Sequence, residues 1–123
     1  MKSKTEAKLE KYGVTKQVYY YDEYETTVCI LIKGDQILAR GVSSCSDRDE
    51  FIKRKGRTIA LGHAVQALHH QKNLNWVMSK SRKNREYERF EYLRIRFGCL
   101  SCYMPSLWQK EVNIVNKACN NGT

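Results

Sequence analysis

Lys53, Arg54, Lys55 and Arg57 crowd little more than one helical turn around Gly56, in the stretch KRKGRTIALGHAVQAL. A second set, Arg82, Lys83, Arg85, Arg89, Arg94 and Arg96, is interleaved with Tyr87, Phe90 and Tyr92, with Asn84 beside it. Guanidinium forks hold phosphate through paired hydrogen bonds, and aromatic faces stack on bases. Asn84 adds a group able to hydrogen-bond a base edge. These are the requirements of nucleotide recognition, whether the nucleotide is polymeric or small. The alternative is a pair of solvated basic faces whose aromatics pack into the core. Glycine inside a helix costs roughly 1 kcal/mol against alanine, so Gly56 needs a reason. Either a packed neighbour comes close there, or a phosphate approaches the backbone while Arg57 closes over it.

Other chemistry finds less support. His63, His69 and His70 are the only histidines, and no nucleophile stands beside them in the chain. A triad needs a nucleophile, a base and an orienting group together. The acids of REYERFEY alternate with bases, as on a salt-bridged helix face. CLSC, Cys99 to Cys102, has the spacing of a zinc half-site, but no second pair of matching spacing completes it. No phosphate-binding glycine loop or dinucleotide fingerprint occurs. The expectation is a protein without catalytic residues, metal or cofactor.

These clusters must be positioned by a chain of 123 residues, enough for a single domain spanning 1–123. Lys and Arg number 22 against 13 Asp and Glu, and the net charge of +9 attracts anions without choosing among them. No apolar run spans a bilayer, and MKSKTEAKLEKYG lacks the apolar stretch of a secretion signal. A cytoplasmic protein is expected, with its five cysteines as free thiols.

A capping pair, Ser3 and Glu6, followed by Gly13, predicts a short N-terminal helix. TTVCILIK and QILARGVSS, separated by Gly34 and Asp35, read as a hairpin, and KQVYYYDE as a further strand. The apolar run Val28 to Ile32 implies burial on both faces, with helices on one side and another subunit on the other. A long helix follows, capped by Ser46 or Asp47 and reaching about Asn73. Gly56, Ala60, Ala64 and Ala67 give it a smooth stripe that lets a second helix, or the sheet, come close. Phe90, Leu93 and Phe97 mark a second long helix starting near Ser79, and GCLSCYM reads as a loop. A last helix opens near Pro105, with Trp108, Val112, Val115 and Cys119 on one face. The predicted class is α+β: a small antiparallel N-terminal sheet followed by two or three C-terminal helices.

Two family resemblances attach to these segments. The hairpin TTVCILIKGDQILARGVSS followed by KRKGRTIALGHAVQAL is similar to part of a double-stranded-RNA-binding domain, with Ala60, Ala64, Ala67 and Leu68 as the packing face. CSDRDEF stands where that family has a glycine-rich helix entry. The whole chain, through its strand-rich first half, SDRDEFIKRKGRTIALGHA and second long helix, resembles the Thoeris anti-defence sponge proteins of bacteriophages, more narrowly the first described, clostridial-phage type. That resemblance implies a non-enzymatic protein acting in the cytoplasm of an infected bacterium. It would sequester the cyclic ADP-ribose isomer made by TIR-domain sensors, and in some members cyclic oligonucleotides in separate sites. It also implies homo-oligomers, dimers or multiples of dimers joined through helices, with no membrane partner. On residue chemistry the expected ligand contacts are Gly56, Arg57, Asn84, Phe90 and Arg94. Nucleic acid is the partner only under the first resemblance.

Overall fold

The chain begins with a helix because Ser3 can cap one. In the computed structural model, which describes residues 3–44, 53–77 and 85–120, Ser3 Oγ accepts the Glu6 N–H at 3.1 Å. Helix α1 runs Lys4–Lys11 and is closed by Gly13 at φ +75°. Strand β1 (Lys16–Asp22) turns through Tyr24 and Glu25 into β2 (Thr26–Lys33), which pairs with β3 (Gln36–Ser44) across a turn containing Gly34. Helix α2 is Lys53–His70, and β4 is Leu74–Trp76. Then come α3 (Arg85–Arg96), β5 (Cys99–Tyr103) and α4 (Gln109–Asn120).

The strands make one five-stranded sheet in the order β1-β2-β3-β5-β4, every neighbour antiparallel. Alternation along β2 divides its apolar run between two cores. Cys29 and Leu31 face α1 and α2, packing with Leu9, Ala60, Ala64, Val65, Ala67 and Leu68. Val28, Ile30 and Ile32 face α3 and α4, packing with Leu93, Phe97 and Val115. The α+β class therefore stands, together with the N-terminal helix and the three-stranded start of the sheet.

Three expectations are corrected. Strands are not confined to the first half, since β4 and β5 come from the second and are interleaved with the helices. GCLSCYM is not a loop: its centre is β5, hydrogen-bonded on one side to β3 and on the other to β4. The second face of Val28–Ile32 is covered by this chain's own α3 and α4 rather than by another subunit. The proposed caps Ser46 and Asp47 lie outside the described residues, as does the stretch from Ser79 to Asn84.

The smooth stripe of α2 meets the sheet. A Cβ on Gly41 would collide with the Ala60 carbonyl and the Ala64 amide, so β3 and α2 touch backbone to backbone. Ser43 Oγ donates to the Gly56 carbonyl at 2.9 Å, which fixes the start of that contact.

Candidate functional site

Of the two basic clusters, the one on α2 borders a cleft. Its floor is β1, where alternation turns Gln17 and Tyr19 toward the α1/α2 side, while Val18 and Tyr20 enter the opposite core. One wall is α2, with Arg54, Arg57, Thr58 and Leu61; the other is the start of α1, with Ser3, Thr5, Glu6 and Leu9. The cleft holds about 440 Å³, within the usual range for small-molecule sites. Arg57 Nη1 donates to the Tyr21 hydroxyl at 3.2 Å, and Tyr19 donates to Gln17 Oε1 at 3.0 Å. The first contact ties the α2 wall to the β1 floor, and the second lies within the floor. Burial pushes the Tyr19 hydroxyl well above its ordinary pKa, so its ring stays neutral.

The chemistry of this lining is mixed in a useful way. Arg54 and Arg57 offer forked donors for a phosphate. Tyr19 offers part of an aromatic surface, and Glu6 a carboxylate able to accept from hydroxyl or amino groups. At the same end of the molecule, the β1–β2 turn exposes Glu23 and Glu25.

The predicted site residues are distributed unevenly. Arg57 stands in the cleft. Gly56 does not: it is buried, and a Cβ there would come within 2.5 Å of Thr27 Oγ1. Its missing side chain serves close packing on the sheet, not the approach of a phosphate. Phe90 and Arg94 belong to α3, on the far side of the sheet from Arg57. There Arg89 stacks on the Phe90 ring at 4.9 Å, and Arg94 pairs with Glu91 at 2.7 Å. Arg96 of the same cluster pairs with Asp22 at 2.8 Å and covers the Trp108 ring at 5.0 Å. Asn84 lies outside the described residues. Arg89, Arg94 and Arg96 thus pair within the protein, and Arg57 and the two α3 residues Phe90 and Arg94 do not share one pocket within a protomer.

Sequence reasoning missed Tyr19, Gln17 and Glu6. The period of two in KQVYYYD carries part of the signal, because it places Gln17, Tyr19 and Tyr21 on one face. That α1 returns to lie beside them is visible only in the fold.

The remaining candidates have structural partners. His63 Nδ1 is 2.7 Å from the Val42 carbonyl, and His69 Nδ1 is 3.2 Å from the Tyr12 hydroxyl. His69 and His70 also border a second groove of about 280 Å³ with Lys4 and Lys8. Among the described residues no group of three or more His, Cys, Asp or Glu could hold a metal. No helix among them is long and apolar enough to cross a membrane. No protein-family model matches this chain, and neither a curated protein nor a solved structure matches it significantly.

Proposed function

We propose that the protein binds a small phosphate-bearing nucleotide in the cleft between α1, β1 and α2 and holds it without turning it over. The observation that carries this reading is the meeting of Arg54 and Arg57 with Tyr19 and Glu6 around a cavity of about 440 Å³. Guanidinium groups suit a pyrophosphate, a carboxylate suits ribose hydroxyls, and a neutral ring suits a base. The ligand class is the cyclic ADP-ribose isomer that the sponge resemblance implies. Sequestration in an infected bacterium would then lower the free signal and leave the host's TIR-linked effector untriggered. Such a role needs affinity on the order of nanomolar, about −12 kcal/mol, and slow release. A dimer or a multiple of dimers would cover the open side of the cleft and supply part of that affinity.

One observation favours a second reading. A helix, a hairpin and a basic helix follow one another in α1, β2–β3 and α2, with both helices on one face of the sheet, which is the order of parts implied by the RNA-binding resemblance. A duplex contacted through six to ten phosphates loses about 10³–10⁵ in affinity between about 50 and 200 mM salt. A ligand buried in a cleft loses far less. Glu23 and Glu25 beside the basic helix start weigh against a long phosphate track.

The test is direct. The purified protein is mixed with a TIR-made cyclic ADP-ribose isomer, freed of unbound material and heat-denatured, and the released small molecules are weighed by mass spectrometry. Intact ligand at a stoichiometric level is expected. A cleaved product would make the protein an enzyme. No ligand, together with steeply salt-dependent duplex binding, would move the assignment to RNA.

A further inference from the structure

Away from the cleft, two thiols face one another in the sheet. Cys99 Sγ and Cys102 Sγ are 3.0 Å apart, and Cys102 Sγ also lies 3.3 Å from the Cys99 carbonyl. Arg40, opposite Cys102 in the β3–β5 register, places Nη2 4.0 Å from the same sulfur. Both cysteines are free thiols and almost wholly buried, at 2% and 4% exposure. A pair of apolar core fillers has no need of such proximity.

We propose that Cys99 and Cys102 form a redox-active dithiol that closes to an intramolecular disulfide under peroxide and reopens with a dithiol reductant.

The step balances without any other reagent. The Cys102 thiolate attacks one peroxide oxygen and the O–O bond breaks. The leaving hydroxide takes a proton to become water, and Cys102 is left as a sulfenic acid. Cys99, giving up its proton, attacks that sulfur; the S–S bond forms, the S–O bond breaks, and a second water departs. The two thiols lose two electrons and the peroxide gains them. An external dithiol reverses the change by thiol–disulfide exchange.

Two features assign the order of attack. The hydrogen bond between the two thiols, and then the Arg40 charge, hold the Cys102 thiol below its ordinary pKa, against the opposing effects of burial and of the Glu111 carboxylate. Cys99 is held above its own ordinary value, first by that same hydrogen bond and then by burial. With the Arg40 guanidinium 4.0 Å from its sulfur, Cys102 is assigned as the nucleophile and Cys99 as the resolving thiol. Hydrogen peroxide, little larger than water, is the oxidant whose size suits so enclosed a pair.

Closure should also move the chain. The two sulfurs are 3.0 Å apart, whereas a disulfide holds them at about 2.0 Å with its Cα atoms within about 7 Å, so closure draws the pair nearer by about 1 Å. The Cys99 end of β5 must draw inward. Gly98, at φ +79°, precedes it, and Trp76 of edge strand β4 is its register partner. Trp76 is 61% exposed, so its fluorescence reports the shift.

The experiment uses the full chain, reduced and then treated with hydrogen peroxide. Expected are an intact mass lower by two hydrogens, a peptide linking Cys99 to Cys102, altered tryptophan emission, and recovery of all three by dithiothreitol. Cys99→Ser and Cys102→Ser, with Cys99→Ala as a second form in case serine disturbs folding, should each abolish the two-hydrogen loss. Cys119→Ser should keep it. An unchanged mass overturns the proposal. So does a disulfide that involves Cys29, Cys45 or Cys119, or a two-hydrogen loss that survives in Cys99→Ala.

Discussion

Arg40 Nη1 and Glu111 Oε1 lie 2.7 Å apart beneath α4, with side-chain exposures of 5% and 0%. Glu111 is also the third residue of α4 and accepts the Trp108 N–H at 3.0 Å, so it caps the helix that it anchors. Tyr20 of β1 donates to its other oxygen at 2.7 Å. One carboxylate thus joins β1, β3 and the start of α4. Removing it leaves the Arg40 charge buried without its partner, a loss of about 3–5 kcal/mol. Glu111→Ala should lower the urea midpoint accordingly, whereas the double change Arg40→Met with Glu111→Leu should recover most of the loss. A double variant no better than Glu111→Ala would mean that helix capping, not charge burial, sets the cost.

Two glycines on either side of the α2 contact should respond in opposite directions. Gly41→Ala forces a methyl into the backbone of α2 at Ala60 and Ala64, and overpacking of this kind costs about 1–3 kcal/mol or more. Gly62, on the outer surface of the same helix, has open space where its Cβ would be. Gly62→Ala should stabilise by up to about 1 kcal/mol, the helix-propensity difference. Thermal unfolding of the two variants separates them by sign.

The parts of this architecture that announce themselves locally were legible. Ser3 and Glu6 specify a helix start within four residues, and Gly34 separates two β-branched runs. Helical spacing in Phe90, Leu93 and Phe97 marks α3. What failed were elements stabilised by neighbours far away in the chain. Leu74–Trp76 is a strand only because β5 lies beside it, and its central Asn75 has a positive φ, which no strand pattern would suggest. Cys99–Tyr103 has little β-branched content, and its pairing to β3 spans some sixty residues of chain. The site divided in the same way. Arg57, now on the wall of the candidate cleft, stands out by residue type and clustering, whereas Tyr19 and Glu6 line that cleft only through the return of α1 across β1. Gly56 carried two readings, and the sheet beneath it decided for packing.

Arg57 and Arg94 were expected in one site but lie on opposite sides of the sheet, and their variants should behave differently. A charge-assisted hydrogen bond is worth about 1.5–3 kcal/mol, so on the proposed function Arg57→Ala should weaken nucleotide binding by about 10- to 100-fold, with the unfolding midpoint little changed. Arg94→Ala should leave affinity within about twofold, because it removes an exposed pair with Glu91. Isothermal titration of both variants against the parent decides it. Equal losses from the two would require a ligand site that α3 of one protomer completes for α2 of another.

Asp22 should give the protein an acid limit. Burial pushes its carboxyl upward, but the Tyr92 hydroxyl, the Glu23 N–H at 2.9 Å, Arg96 at 2.8 Å and Lys110 at 3.5 Å outweigh that and hold it below the ordinary carboxylate value. A carboxylate with a lowered folded-state pKa contributes stability that is present above its unfolded value. That contribution is lost as the pH falls through the folded one. The protein should therefore lose stability below about pH 4, where an unfolded aspartate begins to take up its proton. Asp22→Asn should be less stable than the parent near neutrality, and the gap should close as the pH is lowered toward about 3. Urea midpoints across that range make the comparison. A gap that stays constant with pH would mean that Asp22 acts through packing at the corner of β1, α3 and α4, and that its charge contributes nothing.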